Sequence, residues 1–444
     1  MHPVQNAVDV STAARTAAEG IPQPRWRLRV LRLCGLLFAA AGLFILYLRQ
    51  SRIGSFNSDG AAQVLQAQDM LHGNLLLRGW WTGDVSFYTT ELPEYMLVDL
   101  FRGLRPDVVH ICAALTYTLA VLLAALLARG RATGPAGLIR ALLAASVMLA
   151  PSIDGGTAVL LENPDHFGTA VPILLILLVI DRAQERWYVP VAVCVLLAWV
   201  QVADEAALVA VAVPVGAVAV VRLAVAAARL RPLREFWYDA ALGAAATASI
   251  LLAAGAEKAI RALGGFDLLP LPQQLLVTRS QVPGHIRALG ETLLLLFGAN
   301  KQGYGSLAFL AWSHLIGLAL AGLALVAAVA WYLTRADRVT QVIVAGTVAT
   351  MAAAIFTIEL ASVGQAHEVA VLLPPAGCCC RLAGHGSRSP WPRCATERPG
   401  RRPRPRTFPW PGGSPRTGTP TAWRATGRPA ARRWTAAARR SSPR

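Results

Sequence analysis

"VVHICAALTYTLAVLLAALLA", residues 108–128, contains no Asp, Glu, Lys or Arg. Its length matches the roughly 17–25 residues that cross a bilayer as a helix. A strand is excluded, because a lone segment in hydrocarbon must close its backbone hydrogen bonds internally. Similar apolar runs recur near 31–48, 136–151, 166–181, 188–202, 205–222, 238–257, 306–333 and 340–360. Some are short or interrupted by Pro, so the expectation is an all-α, polytopic integral membrane protein with about nine or ten transmembrane helices. The composition agrees, since 55% of the 444 residues are hydrophobic and only 15% are charged. That balance suits lipid rather than water.

The formal net charge of +17 first suggests a nucleic-acid or anionic-lipid partner. Its distribution decides against nucleic acid. From Pro374 to Arg444 there are 16 Arg and a single acid, Glu397, which leaves the first 373 residues at +2. The segment 374–444 is rich in Pro, lacks Ile, Val, Met and Lys, and reads as disordered low-complexity chain. It cuts off an apolar stretch, "AHEVAVLLP", in mid-course. Two readings stand: a basic cytoplasmic tail against anionic lipid, or a reading-frame shift in a GC-rich gene. The second fits the abruptness better.

The loops set an orientation. Arg25, Arg27, Arg29 and Arg32 precede the first run, and Arg129, Arg131 and Arg140 follow the second. Further arginines follow the fourth, sixth and eighth. By the positive-inside rule these loops, and residues 1–30, are cytoplasmic, in a multi-pass plasma-membrane protein. The first run is read as a retained anchor, since Tyr47, Leu48 and Arg49 make no cleavage pattern. The body is then 31–373, with two long outer loops at 49–107 and 258–305. Most acids fall on the outer side.

The first outer loop carries the functional signal. It holds "SDGAAQVLQAQDMLHG", Ser58 to Gly73, which is spaced as a helix. Asp59 is placed to cap it, and Ala61, Val64, Leu65 and Leu71 lie roughly on one side. An aromatic-rich turn follows, with Trp80, Trp81, Phe87, Tyr88 and Tyr95 suited to the headgroup level. A second helix is expected from Glu91 or Pro93 to Leu104.

This pattern resembles the GT-C superfamily of membrane glycosyltransferases, in particular the protein O-mannosyltransferase and aminoarabinose transferase group. Those families carry an acid at the start of the first outer loop, in a pattern like D-E-x-x-Y-x-x-x-A-x-x-M-L-x-G. Asp59, Ala67, Met70, Leu71 and Gly73 fall in that register. Gly60 replaces the second acid, and Ala62 or Val64 stands where an aromatic is common. The resemblance covers about fifteen residues plus the topology. It implies transfer of a sugar from a polyprenyl-phosphate donor, with membrane lipid as surroundings and Asp59 as the base that deprotonates the acceptor hydroxyl. The competing role for Asp59 is a helix cap alone.

Other residues are candidates for substrate binding. Glu91 and Glu94 lie three apart on one helical face, where they could meet sugar hydroxyls or a metal. The plainer reading makes Thr90 a cap, with Pro93 in the first turn. Asp165 and His166 stand at the mouth of another helix, where Asp165 could simply cap it. Asp204 and Glu205 interrupt a long apolar stretch and read as a tight outer turn, since charges at bilayer depth are costly. Donor phosphate needs a cation, for which Arg78, Arg279, Arg287 and Lys301 are available. "GQAHEV" offers His367 and Glu368.

No His/Cys ligand spacing or CxxC pair is present, so neither a zinc site nor a disulfide framework is expected. No cofactor is assigned, and a divalent cation beside the acids stays open. No P-loop, GxGxxG, HExxH or GxSxG motif occurs. Against the transferase stand a lipid or solute transporter, with acids relaying protons, and a membrane protein without chemistry.

Overall fold

The computed structural model describes residues 25–54, 57–149, 151, 155–269, 276–299 and 337–357, with short pieces between 311 and 326. Lys301, His367, Glu368 and the whole Arg/Pro-rich segment lie outside the described residues, as does most of the run near 306–333.

Thirteen helices matter here. They are α1 (Arg25–Ser51), α2 (Ser58–Leu71), α3 (Glu91–Arg102), α4 (Asp107–Arg129), α5 (Gly134–Met148), α6 (Gly155–Leu160) and α7 (Asp165–Gly168). Then come α8 (Ala170–Arg182), α9 (Tyr188–Ala203), α10 (Val213–Ala228), α11 (Trp237–Ala262), α12 (Val282–Leu296) and α13 (Arg338–Phe356). A π-helical turn, Leu208–Ala212, leads into α10. Among the described residues the only extended pairing is two isolated bridges, Trp81 with Asp267 and Leu276 with Thr357.

Among the described residues five stretches are long and apolar enough to cross a membrane: Leu33–Ser51, Asp107–Arg129, Leu208–Ala228, Arg234–Ala262 and Arg338–Phe356. The runs read at 136–151, 166–181 and 188–202 fold as helices of 15, 13 and 16 residues. A straight crossing takes about 20, so these three are shorter than the expected spans. The run at 166–181 is also broken, since α7 and α8 are separate helices.

The bundle packs around α4. Tyr117 at its centre lies edge-on to Tyr47 of α1, with ring centroids 4.8 Å apart, and 5.2 Å from the ring of Phe167. Both phenols are fully buried. Each donates to a carbonyl at the end of α5, Tyr47 to Leu149 at 2.9 Å and Tyr117 to Met148 at 2.7 Å. Burying two aromatic bodies without stranding their hydroxyls is what makes Tyr usable in such a core. Outside, Leu36, Leu37, Phe38, Val220, Leu251 and Leu252 are exposed. Apolar faces of this extent suit lipid and are poorly tolerated in water.

One contact shows how close the helices come. Gly346 of α13 lies against the backbone of the π-helical turn, and a Cβ there would overlap the Ala210 carbonyl oxygen. Small residues of this kind let membrane-type helices approach. Gly346→Ala is expected to cost about 1–3 kcal/mol, read as a lower midpoint in thermal melting of the detergent-solubilised chain. An unchanged midpoint would remove this contact from the list of fold determinants.

The helices alternate in direction between two ends. At one end Arg131 donates to the Asp181 carbonyl, and Arg338 and Arg222 pair with Asp239 at 2.6 and 3.0 Å. At the other end α1 finishes, α4 begins and α2 and α3 cover them. There Asp107 takes both Arg52, at 2.7 Å, and Arg102, at 3.3 Å, joining the ends of α1 and α3 to the start of α4.

At that same end the two long loops are stitched together. The amide of Phe266 donates to Leu76 and that of Asp267 to Trp80, while Thr82 and Leu269 return bonds to Asp267 and Gly83. Leu77, Leu92 and Phe266 form a small buried cluster beneath them. The aromatic residues divide accordingly. Tyr95 and Phe87 are buried core residues, and Trp80 donates to Asp69 at 2.8 Å. Only Trp81 is widely exposed, so most of the expected aromatic belt here is packing.

Candidate functional site

α2 begins one residue earlier than its acid suggests. Asn57 is the N-cap, and its side chain accepts from the Gly60 amide at 2.9 Å. Asp59 therefore does not cap the helix. It is exposed in the first turn, where its charge favours the helix dipole. The Ser58 hydroxyl donates to it at 3.4 Å, and its charge reaches Glu162. The buried face of α2 is also rotated from expectation. It consists of Gly60, Gln63, Val64, Gln66, Ala67 and Met70, whereas Leu65 and Leu71 are exposed.

Gly60 explains one departure from the GT-C-like pattern. A Cβ there would lie 2.9 Å from Val109 Cγ1 and 3.2 Å from Asn163 Cβ. Position 60 faces the bundle at close range, so a second acid does not fit in this chain.

A cleft of about 200 Å³ opens along α2, immediately after Asp59. Ala61, Val64 and Leu65 form one wall, and Leu104 and Val109 the other, with Arg105 beside them. The geometry has a local cause. Gly103 adopts φ +70° and ends α3, a conformation that costs glycine little. The chain then doubles back through Pro106 into α4, leaving a gap beside α2. Arg105 is exposed at this turn. Arg78, the expected cation, is exposed elsewhere, with its amide held by Asn74 at 2.8 Å, and does not line the cleft. Arg279 is exposed, and Arg287 pairs with Glu291 on its own helix at 2.9 Å.

The remaining candidates converge behind α2, inside the protein rather than on a binding surface. The Ser86 and Phe87 amides donate to the Ala203 carbonyl at 3.1 and 2.9 Å. This pins the start of α3 to the end of α9. Thr90 occupies the N-cap position of α3 but makes no capping bond; its hydroxyl donates to Glu91 instead. Glu91 is 1% exposed. Its carboxyl presses on Gly168, where any side chain would overlap it. Glu94, one turn on, accepts from Thr116 of α4 at 2.7 Å. Burial pushes Glu91 well above the usual carboxylate range, with the charges of Asp204 and Glu94 adding to it. Burial likewise pushes Glu94 up to about 7.

Asp165 and His166 are both buried, on the four-residue α7. Pro164 is the N-cap, so Asp165 is not a cap, and its φ of +41° is a strained conformation for a non-glycine residue. His166 Nδ1 lies 3.1 Å from Asp204 Oδ2, and Thr169 donates to the same oxygen at 2.7 Å. The Ala206 amide donates to the other oxygen at 2.7 Å. The Asp204–Glu205 turn therefore splits in role, with Asp204 1% exposed and Glu205 on the surface. Burial pushes Asp204 up, but the charge and bond of His166 and the bonds from Thr169 and Ala206 bring it below its ordinary value.

Sequence reasoning did not find Tyr95, Thr116, Thr169, Gln63 or Arg105 as members of this region. Asp204 carried a signal, as an acid within an apolar stretch, but its partner His166 is 38 positions away. Among the described residues no three His, Cys, Asp or Glu side chains are gathered to hold a metal ion. No family model matches the chain, and no curated protein does.

Proposed function

We propose that the protein is a membrane glycosyltransferase that moves a sugar from a polyprenyl-phosphate donor to an acceptor hydroxyl at the outer face of the plasma membrane. The observation that carries this reading is the apolar cleft along α2 with Arg105 at its edge, in a helix whose first turn carries Asp59. An apolar cleft next to a lone cation suits a prenyl chain ending in phosphate. The carboxylate in the adjacent turn, exposed and free of a capping role, suits a base.

In this mechanism Asp59 takes the proton of the acceptor hydroxyl as its oxygen attacks the anomeric carbon. The bond from that carbon to the phosphate oxygen breaks, and the electron pair leaves with the phosphate. Arg105 meets the negative charge that grows there. Lys301, the other outer cation of interest, lies outside the described residues.

The test is incubation of membranes containing the protein with a labelled polyprenyl-phosphate sugar. Label is expected to pass to endogenous or added acceptor. Arg105→Ala is expected to raise KM for the donor about tenfold or more, the scale of one charge-assisted hydrogen bond. Absence of transfer with any polyprenyl-phosphate sugar would sink the reading. Vectorial uptake of solute or lipid by reconstituted protein would favour a transporter.

A further inference from the structure

We propose that Glu91 and Glu94 form a buried proton-binding site that joins α3 to the helices beneath it. The site stands independently of the transferase reading.

The case begins with what surrounds the two carboxyls. Glu91 has one oxygen bonded to Thr90, and its Oε1 is enclosed without a hydrogen-bond partner. Glu94 has one oxygen bonded to Thr116, and its Oε1 is likewise enclosed and unpartnered. The hydroxyl of Tyr95, a residue with no exposure at all, is a third polar atom there without a partner. Among the described residues no Arg or Lys pairs with either glutamate.

The neighbouring elements supply acids and neutral groups. Asp204, from the turn after α9, acts on Glu91, and Asp165 of α7 lies near Tyr95. His166 of α7 faces the region but is engaged by Asp204. From α4 come Thr116 and Cys112, and Cys112 is close enough to feel Glu94 and Asp99.

Glu91 feels both Glu94 and the ionised Asp204, and in so closed a space the two glutamates cannot both carry negative charge, because low dielectric magnifies repulsion and removes hydration. A positive partner is required. A metal ion would need several ligands in one shell, and no such group is assembled here. A proton needs only one oxygen. Protonated, each glutamate also gains an O–H donor, which an enclosed and unpartnered carboxylate oxygen lacks. The fold has made room for this arrangement, since only glycine at position 168 leaves space for the Glu91 carboxyl. Burial acts in the same sense on both groups.

The consequence is a link between proton binding and the outer elements. α3 carries both glutamates and packs on α2, which presents Asp59 and one wall of the cleft. Loss of the proton from Glu94 places a charge under α3 and loosens its seat.

The test is infrared titration of the full chain in detergent, reading the carbonyl stretch of protonated carboxyl groups. The wild type is expected to lose intensity as pH rises through about 7, from Glu94. Further intensity, from Glu91, should persist to higher pH. Glu94→Gln should lack the first component and Glu91→Gln the second. Both should keep the wild-type circular dichroism, because a glutamine amide has the shape and donor of a protonated carboxyl. Three results would overturn the proposal: no difference between the variants and the wild type; unfolding of both variants, which would show that ionised carboxylates are required; or loss of the bands at fixed pH on adding sodium or calcium, which would show a metal ion in place of the proton.

Discussion

Replacing Asp59 by asparagine is expected to lower sugar transfer by about 10²–10⁴-fold, the range for loss of a positioned general base. The amount of folded, membrane-inserted protein should not change. The structure makes these two outcomes separable. A capping residue and a base would both be sensitive at this position if they were one side chain, but the cap is Asn57. Asp59 is exposed and makes no bond to the backbone of α2 among the described residues. Asn57→Ala is therefore the matched control. It should cost about 1 kcal/mol of stability through the lost bond to the Gly60 amide. Transfer per folded molecule should remain far above that of Asp59→Asn. The measurement is transfer from a labelled donor, normalised to folded protein in the membrane. Wild-type transfer by Asp59→Asn would remove Asp59 from the chemistry.

The helices were readable from the sequence because their signals are local. An uncharged run such as 108–128 has one conformation available in hydrocarbon, and it folds as Asp107–Arg129. The helices between the first two long apolar helices were equally clear, and Ser58–Leu71 and Glu91–Arg102 lie close to their expected bounds. What composition could not show is a break inside an apolar run. The run near 166–181 is polar only at its two ends, yet it divides at Thr169 because that hydroxyl and His166 both turn to Asp204. A distant partner, not local propensity, sets that break. The same reason hid the face of α2, where Gly60 is buried by its fit against Val109 and Asn163.

For the site, residue type was informative and destination was not. Polar groups at the mouths of apolar helices were recognisable as unusual: Glu91, Asp165, His166 and Asp204 are buried, and Glu94 has one oxygen enclosed. Their spacing suggested a surface that meets sugar or metal. Instead α3 turns its acids inward, because Ser86 and Phe87 fix its first turn on the Ala203 carbonyl. The exposed face of α3 is apolar, with Leu97, Leu100 and Phe101. Orientation of a helix whose buried face mixes Glu91 and Asp99 with Leu92, Tyr95 and Val98 cannot be read from periodicity, since periodicity separates faces without naming which is inside. Arg105 was missed for a simpler reason: it lies in a turn, and its significance comes from the cleft that the turn creates.

Asp204→Ala is expected to be the most damaging single change to stability, at about 3–5 kcal/mol, the cost of removing one member of a buried charged pair. It removes the charged partner of His166 and leaves the Thr169 hydroxyl and the Ala206 amide without their acceptor. The pH dependence gives a second reading. Asp204 has a folded value below its ordinary one, so its contribution is present above about 4, the unfolded value, and lost as pH falls through the folded value. Glu94 acts in the opposite sense. Its folded value is about 7, so its contribution is full below about 4 and lost as pH rises through 7. The span corresponds to about 3 kcal/mol. The wild type should therefore be most stable in mild acid and decline on both sides. Asp204→Ala should lower the whole curve and flatten its acid limb, and Glu94→Gln should flatten only the decline between about pH 4 and pH 7. Melting midpoints of the three proteins across pH, in one detergent, measure all of this. If Asp204→Ala instead melts with the wild type at every pH, the His166–Asp204 pair does not hold α7 to the turn after α9.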